Sequence, residues 1–206
     1  MLTKQEWWDN MSQVNGLLFP WQFVMLFIAA LLVLFVVFKP GKISSVFMKL
    51  YFVLGFLWIG IGFSGINNEN YVGAVLFSAI ALFFAIDIYK QKLIFRFPKK
   101  KSAQLYTVFF LLLIFSYPLV GLLLGHASSE IFMIGTYPCP TTSLGLVMIT
   151  MALPRINKIL YALLLFWAMF SIPAILIYAV FEDLILMLSG VYAALFLYKN
   201  RKVLVL

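Results

Sequence analysis

Seven stretches of this 206-residue chain are predominantly apolar and bounded by charge, proline or asparagine. They run from Trp21 to Phe38, Val46 to Gly65, Tyr71 to Tyr89, Gln104 to Gly125, Thr141 to Leu153, Ile159 to Val180 and Asp183 to Tyr198. A helix rising about 1.5 Å per residue needs roughly 20 apolar residues to cross about 30 Å of hydrocarbon. Most of these stretches have that length. A β-barrel would need segments that alternate apolar and polar residues, and the run Phe109 to Phe115 does not alternate. The expected fold is therefore all-α, a polytopic membrane bundle of about seven transmembrane helices. Composition agrees, at 65% hydrophobic and 11% charged against about 45–50% and about 25% in soluble domains. A single cysteine excludes a disulfide scaffold, and the scarcity of charge excludes a disordered tail. The length falls short of a TIM barrel.

Positive charge predicts the orientation, because cytoplasmic connections accumulate Lys and Arg. Of the fifteen Lys and Arg residues, all but Lys4 fall on alternate connections: Lys39, Lys42 and Lys49, then Lys90 to Lys101, then Arg155 and Lys158, then Lys199 to Lys202. Every acidic residue except Asp87 lies on the other side. The N-terminus is expected outside and the C-terminus inside a cell (inner) membrane crossed many times. The net charge of +8 is then a dipole sorted across the bilayer, not a nucleic-acid surface. The Lys99-Lys100-Lys101 run is expected to meet anionic lipid headgroups at the inner face.

Residues 1–20 lack the apolar core and small-residue cleavage site of a signal peptide. They read as an interfacial amphipathic segment, followed by one transmembrane domain over 21–206. Thr3 and Glu6 have capping-box spacing, Trp7, Met11 and Val14 share a helical face, and Asn15-Gly16 is the expected stop. Such a helix either anchors at the interface or forms a lid over the outward-facing spans.

The fifth stretch is the anomaly. Thirteen residues separate Thr141 from Leu153, roughly 20 Å of helix, too little to reach both surfaces. The preceding residues, Glu130 to Pro140, are apolar yet broken by Gly135, Pro138 and Pro140. Irregular backbone at membrane depth is tolerated only inside protein or along a wet cavity. A re-entrant segment is expected, with Pro138-Cys139-Pro140-Thr141-Thr142 at the buried start of a short helix. Unpaired amides there favour anions and a thiolate at Cys139, and Thr141 and Thr142 can cap those amides or offer hydroxyls to a guest. The lone histidine, His126, is expected at the same level, following Gly121 and Gly125, whose spacing suits close helix packing. Tyr117-Pro118 should kink that helix. His126, Glu130 and Cys139 together form a candidate site for a soft metal ion, with His126 and Cys139 as its metal ligands. Each also has a plainer role: an interfacial hydrogen-bonding histidine, a small buried thiol, a solvated carboxylate.

Elsewhere the residues suggest structural roles. Asp87 stands three residues before Lys90 and is expected to pair with it at the interface. Glu182 and Asp183 suit a helix N-terminus. Asn67 to Asn70 reads as a polar turn, and Gly55, Gly60, Gly62 and Gly65 suggest tight packing or a flexible segment.

At Tyr117-Pro118, Gly121, Gly125-His126, Gly135, Pro138 to Thr142 and Gly145, the chain resembles a family of uncharacterised bacterial polytopic membrane proteins. Members share a Gly-His step followed by a Pro-Cys-Pro-Thr-Thr motif. The likeness extends to Pro20-Trp21, Trp58-Ile59-Gly60, Ile66-Asn67 and Glu182-Asp183-Leu184, and so to nearly the whole chain. It implies a bacterial integral membrane protein and no particular reaction. Likeness to seven-helix photoreceptors fails, because the last span, Asp183 to Tyr198, has no lysine for a retinal Schiff base.

The expected function is a small transporter or transport accessory with an outward-facing metal or small-solute site at His126, Cys139 and Thr141. A homo-oligomer or a membrane partner would complete so small a bundle. The alternatives are a membrane enzyme or redox component using Cys139 with His126 as base, and a structural subunit of a membrane complex.

Overall fold

A computed structural model describes residues 3–201. Helix α1 spans Lys4–Leu18, α2 Trp21–Phe38 and α3 Lys42–Leu57, the last continuing as a π-helical segment over Trp58–Asn67. Then follow α4 (Tyr71–Lys90), α5 (Lys101–Phe115), α6 (Tyr117–Leu123), α7 (Pro138–Thr150), α8 (Lys158–Met169) and α9 (Ser171–Tyr178). A 3₁₀ turn, Phe181–Asp183, leads into α10 (Leu184–Asn200). No strand occurs among the described residues.

Five of these helices are long and apolar enough to cross a membrane: α2, α3 with its π extension, α4, the α8–α9 run, and the 3₁₀ turn with α10. A sixth is added if α5 and α6, bent by 56° at Ser116, count as one broken span. The break lies beside Pro118, as a missing N–H and a ring clash require. The fifth apolar stretch, most of which forms α7, is too short to join them on length, so five or six of the seven expected crossings meet the requirement. Large apolar side chains such as Phe27, Leu31, Leu34, Val75, Leu112 and Leu195 face outward. So broad an apolar exterior is what an integral membrane protein offers to lipid.

Helix α7 is the axis of the molecule. Every one of its residues except Cys139 is buried, and a helix apolar all round belongs in a core. Its Gly145 faces Leu164 of α8 and Phe56 of α3, at ordinary contact distance for a Cβ. Because α7 is only 13 residues long, other backbone must cover both its ends. At one end lies the irregular run 131–137, all of it buried. At the other, the extended segment 91–98 tucks beneath the helix, with Leu93 and Phe95 fully buried and the Arg96 N–H donating to the Met151 carbonyl.

That extended segment is held by an ion pair placed differently from expectation. Asp87 pairs with Lys49 of α3, at 3.0 Å, and not with Lys90. The Asp87 carboxylate also accepts the backbone N–H groups of Lys92 and Leu93. Lys49, counted above among connection charges, lies inside α3 and is fully buried. The long ammonium stem lets it span from α3 to the end of α4, where its charge is matched and hydrogen-bonded as burial demands.

Helix α1 has the expected cap. The Thr3 hydroxyl accepts from the Glu6 N–H, and the Glu6 carboxylate accepts from the Thr3 N–H. Hydrogen bonds donated by the Thr3 N–H and the Thr3 hydroxyl hold the exposed Glu6 carboxyl below the usual carboxylate range. The helix runs past the expected stop at Asn15-Gly16, however, to Leu18. Asn15 is buried and donates to the carbonyls of Ser129 and Ile131. Its tertiary bonds carry the helix through a poor local signal.

Candidate functional site

The site forms where α6, α7 and the turn into α10 meet beneath α1. Helix α6 ends in a Schellman motif: the His126 N–H donates to the Gly121 carbonyl and the Gly125 N–H to the Leu122 carbonyl. Gly125 has φ +93°, the left-handed conformation that this motif requires. It is thus a helix stop and contacts no neighbouring helix, contrary to the packing role expected of it. Gly121 faces the Glu182 carboxylate, where a Cβ would make only an ordinary contact, 3.5 Å from Oε1.

Helix α7 opens with Pro138, whose missing N–H costs nothing in the first turn. Thr141 closes the preceding loop, donating from its hydroxyl to the Tyr137 carbonyl at 2.6 Å and accepting the Gly135 N–H at 2.7 Å. Gly135 has φ +90°, and a Cβ on it would overlap the Tyr51 hydroxyl. The Thr141 hydroxyl is therefore committed to the fold and not offered to a guest. The Thr142 hydroxyl is buried without a hydrogen-bond partner.

Two buried carboxylates lie at the heart of the site, on successive residues. Asp183, 2% exposed, accepts the Tyr117 hydroxyl at 2.7 Å on one oxygen and the Cys139 thiol at 3.2 Å on the other. Glu182, 1% exposed, faces His126 at 3.4 Å. That contact is an ion-pair approach without hydrogen-bond alignment, and neither Glu182 oxygen has a donor. Neither side chain caps α10. Both acids do stand at the helix start, as expected, and their side chains turn to α6, α7 and the His126 loop.

Beside Asp183 and Cys139 opens a cavity of about 340 Å³. Its walls are aromatic, with Trp7, Phe63, Tyr137, Trp167, Phe170 and Tyr178 among them. Among the described residues, Asp183 is its one charged lining group. Helix α1 forms the roof. Trp7 stacks on Tyr178 at 5.0 Å, Trp8 stacks on His126 at 4.0 Å, and the Trp8 indole donates to the Tyr178 carbonyl. Asn10 bonds Asn68 across to the turn between α3 and α4, and Tyr137 donates to Asn15. These contacts fasten α1 to the bundle over the cavity.

The residues expected to converge separate into three settings. His126 turns to Glu182, Cys139 to Asp183, and Glu130 to the N–H of Ala127 on its own exposed turn. No three His, Cys, Asp or Glu side chains among the described residues are placed to hold a metal ion. The structure does not bring His126 and Cys139 together: each faces its own carboxylate. A His-activated thiolate is not formed either. The hydrogen bond from Cys139 to a carboxylate needs the S–H proton, and the imidazole is engaged elsewhere. Tyr117, Glu182 and Asp183 are the site residues that sequence reasoning missed. Two adjacent acids at the edge of an apolar run were the available signal, since ionisable groups inside membrane segments usually mark function.

Comparison with known proteins adds a family without a reaction. The model of a family described as being of unknown function, DUF6064, matches residues 4–205. No curated protein and no solved structure matches the chain.

Proposed function

We propose that this chain, which belongs to the family of unknown function DUF6064, is a multi-pass membrane protein acting as a small transporter or transport accessory for compact organic cations, received from outside through the cavity under α1. One observation carries this reading: an aromatic-walled cavity whose charged lining residue is a buried carboxylate, Asp183. Aromatic faces attract cations through their quadrupole by about 0.5–2 kcal/mol each, more when water is excluded. A single carboxylate supplies the counter-charge. An anion would be repelled by Asp183, and a neutral solute would leave its charge without a counter-charge. The volume of about 340 Å³ suits a small ligand. Placement at a broken span and a short helix resembles the way transporters build substrate sites.

Choline and its neutral isostere 3,3-dimethylbutanol test this, since they share shape and differ in charge. Binding to the purified full-length protein is followed by tryptophan fluorescence, Trp7 and Trp167 lying in the cavity wall. Choline should bind, and Asp183→Asn should weaken it at least about tenfold, equivalent to about 1.4 kcal/mol. Equal binding of both compounds, or an unaffected Asp183→Asn protein, overturns the proposal. Uptake of choline into proteoliposomes then separates transporter from accessory.

A further inference from the structure

At the end of the molecule away from α1, a second cavity of about 870 Å³ lies between α5 and α10. It exists because α7 ends early: Thr150, Met151 and Leu153, just past the buried axis, form its floor. Phe110 of α5 stacks on Tyr192 of α10 at 4.4 Å, and both line the cavity. One wall is apolar and open to the outside, with Leu188, Val191 and Leu195 each about half exposed at 45%, 51% and 55%. The rim is basic: Arg96, Lys99, Lys100 and Lys199 line it, with no acidic residue among the described lining. The acid of this end, Asp87, is already matched by Lys49. Helix α5 starts at Lys101 without a side-chain cap, and Ser102 and Ala103 of its first turn line the cavity. Its uncapped amides add to the positive field.

We infer that this groove is a binding site for an anionic phospholipid, the phosphate held by Arg96, Lys99, Lys100 and Lys199 and one acyl chain lying along α10. Charge and apolar surface meet there in the order that such a lipid presents them. Basic pockets between transmembrane helices recognise phosphorylated headgroups in this way, whereas lysines scattered over a surface attract lipid without retaining it. Arg96 supplies planar, paired donors for phosphate oxygens, and the lysines supply point charges. The site is separate from the cavity under α1 and does not depend on what that cavity takes.

The experiment is native mass spectrometry of the full-length protein from nanodiscs of phosphatidylglycerol and phosphatidylcholine in equal parts. The expected result is retention of phosphatidylglycerol. Replacing Arg96, Lys99, Lys100 and Lys199 by Gln should lower that retention at least about tenfold. Replacing Lys42, Lys101 and Lys158, which do not line the groove, should leave it unchanged. Equal retention of both lipids, or equal loss in both variants, overturns the inference, because general surface charge then suffices. Glycerol phosphate added in solution should fail to displace the lipid. Displacement at equal concentration would assign the groove to a soluble phosphate and overturn the lipid proposal as well. Circular dichroism of both variants establishes folding, and because all seven positions are exposed, a core defect is not expected from either set.

Discussion

Asp183 and Glu182 are neighbours in sequence and differ in every contact that matters. Asp183 has a hydrogen-bond donor on each oxygen, whereas Glu182 has an imidazole at 3.4 Å and no aligned donor. Removing a donor from a buried charged acceptor costs about 1.5–3 kcal/mol. Tyr117→Phe should therefore lower stability by about that much, while Cys139→Ser, which keeps a donor at the same position, should change it by less than about 1 kcal/mol. Thermal unfolding in detergent measures both, and a Tyr117→Phe protein as stable as the parent would show that the hydroxyl is not needed. At this scale the sequence was partly legible. The lone cysteine, the lone histidine and Tyr117-Pro118 drew attention because each is rare in so apolar a chain. The two acids did not, because acidic residues before a helix have a sufficient local explanation in the helix dipole. Only the fold reveals that from this helix start both side chains reach α6, α7 and the His126 loop.

Elements show the same division between local and tertiary causes. The capping box of α1, the kink at Tyr117-Pro118 and the shortness of α7 follow from residues within a turn or two of each other, and each was readable. The continuation of α1 through Asn15-Gly16 was not, because Asn15 is held by carbonyls more than a hundred residues away. Gly125 was misjudged for a related reason: a glycine four residues after another fits both a packing face and a helix stop, and its φ decides. If α1 is a lid, its two tryptophans are its fastening. Trp8→Ala removes the stack on His126 and the bond to Tyr178, at a cost of about 3–5 kcal/mol for a buried Trp. Labelling of Cys139 by a small methanethiosulfonate should then speed up, with the cation site remaining measurable. An unchanged labelling rate would reduce α1 to an anchor. The lone cysteine makes the readout unambiguous.

Across the whole molecule, sequence reasoning recovered the all-helical class and the recurring apolar helices, because both are sums over many residues. It expected seven crossings, of which five or six have helices long and apolar enough to span by length and composition; α7, buried at nearly every residue, is the one that falls short. It also set Lys49 in a connection, where most lysines near apolar runs belong, although the residue is buried against Asp87 across 38 positions of sequence. The molecule that results has two polar ends of opposite character: carboxylates under an aromatic roof at one, and a basic groove at the other. Tetramethylarsonium has the shape and charge of a quaternary ammonium ion and carries an anomalous scatterer. In crystals of the full-length protein grown with it, the anomalous map should show one peak among Trp167, Tyr178 and Asp183, missing from Asp183→Asn crystals. A peak confined to the protein surface, or one that persists unchanged in Asp183→Asn, would contradict a cation site built on that carboxylate.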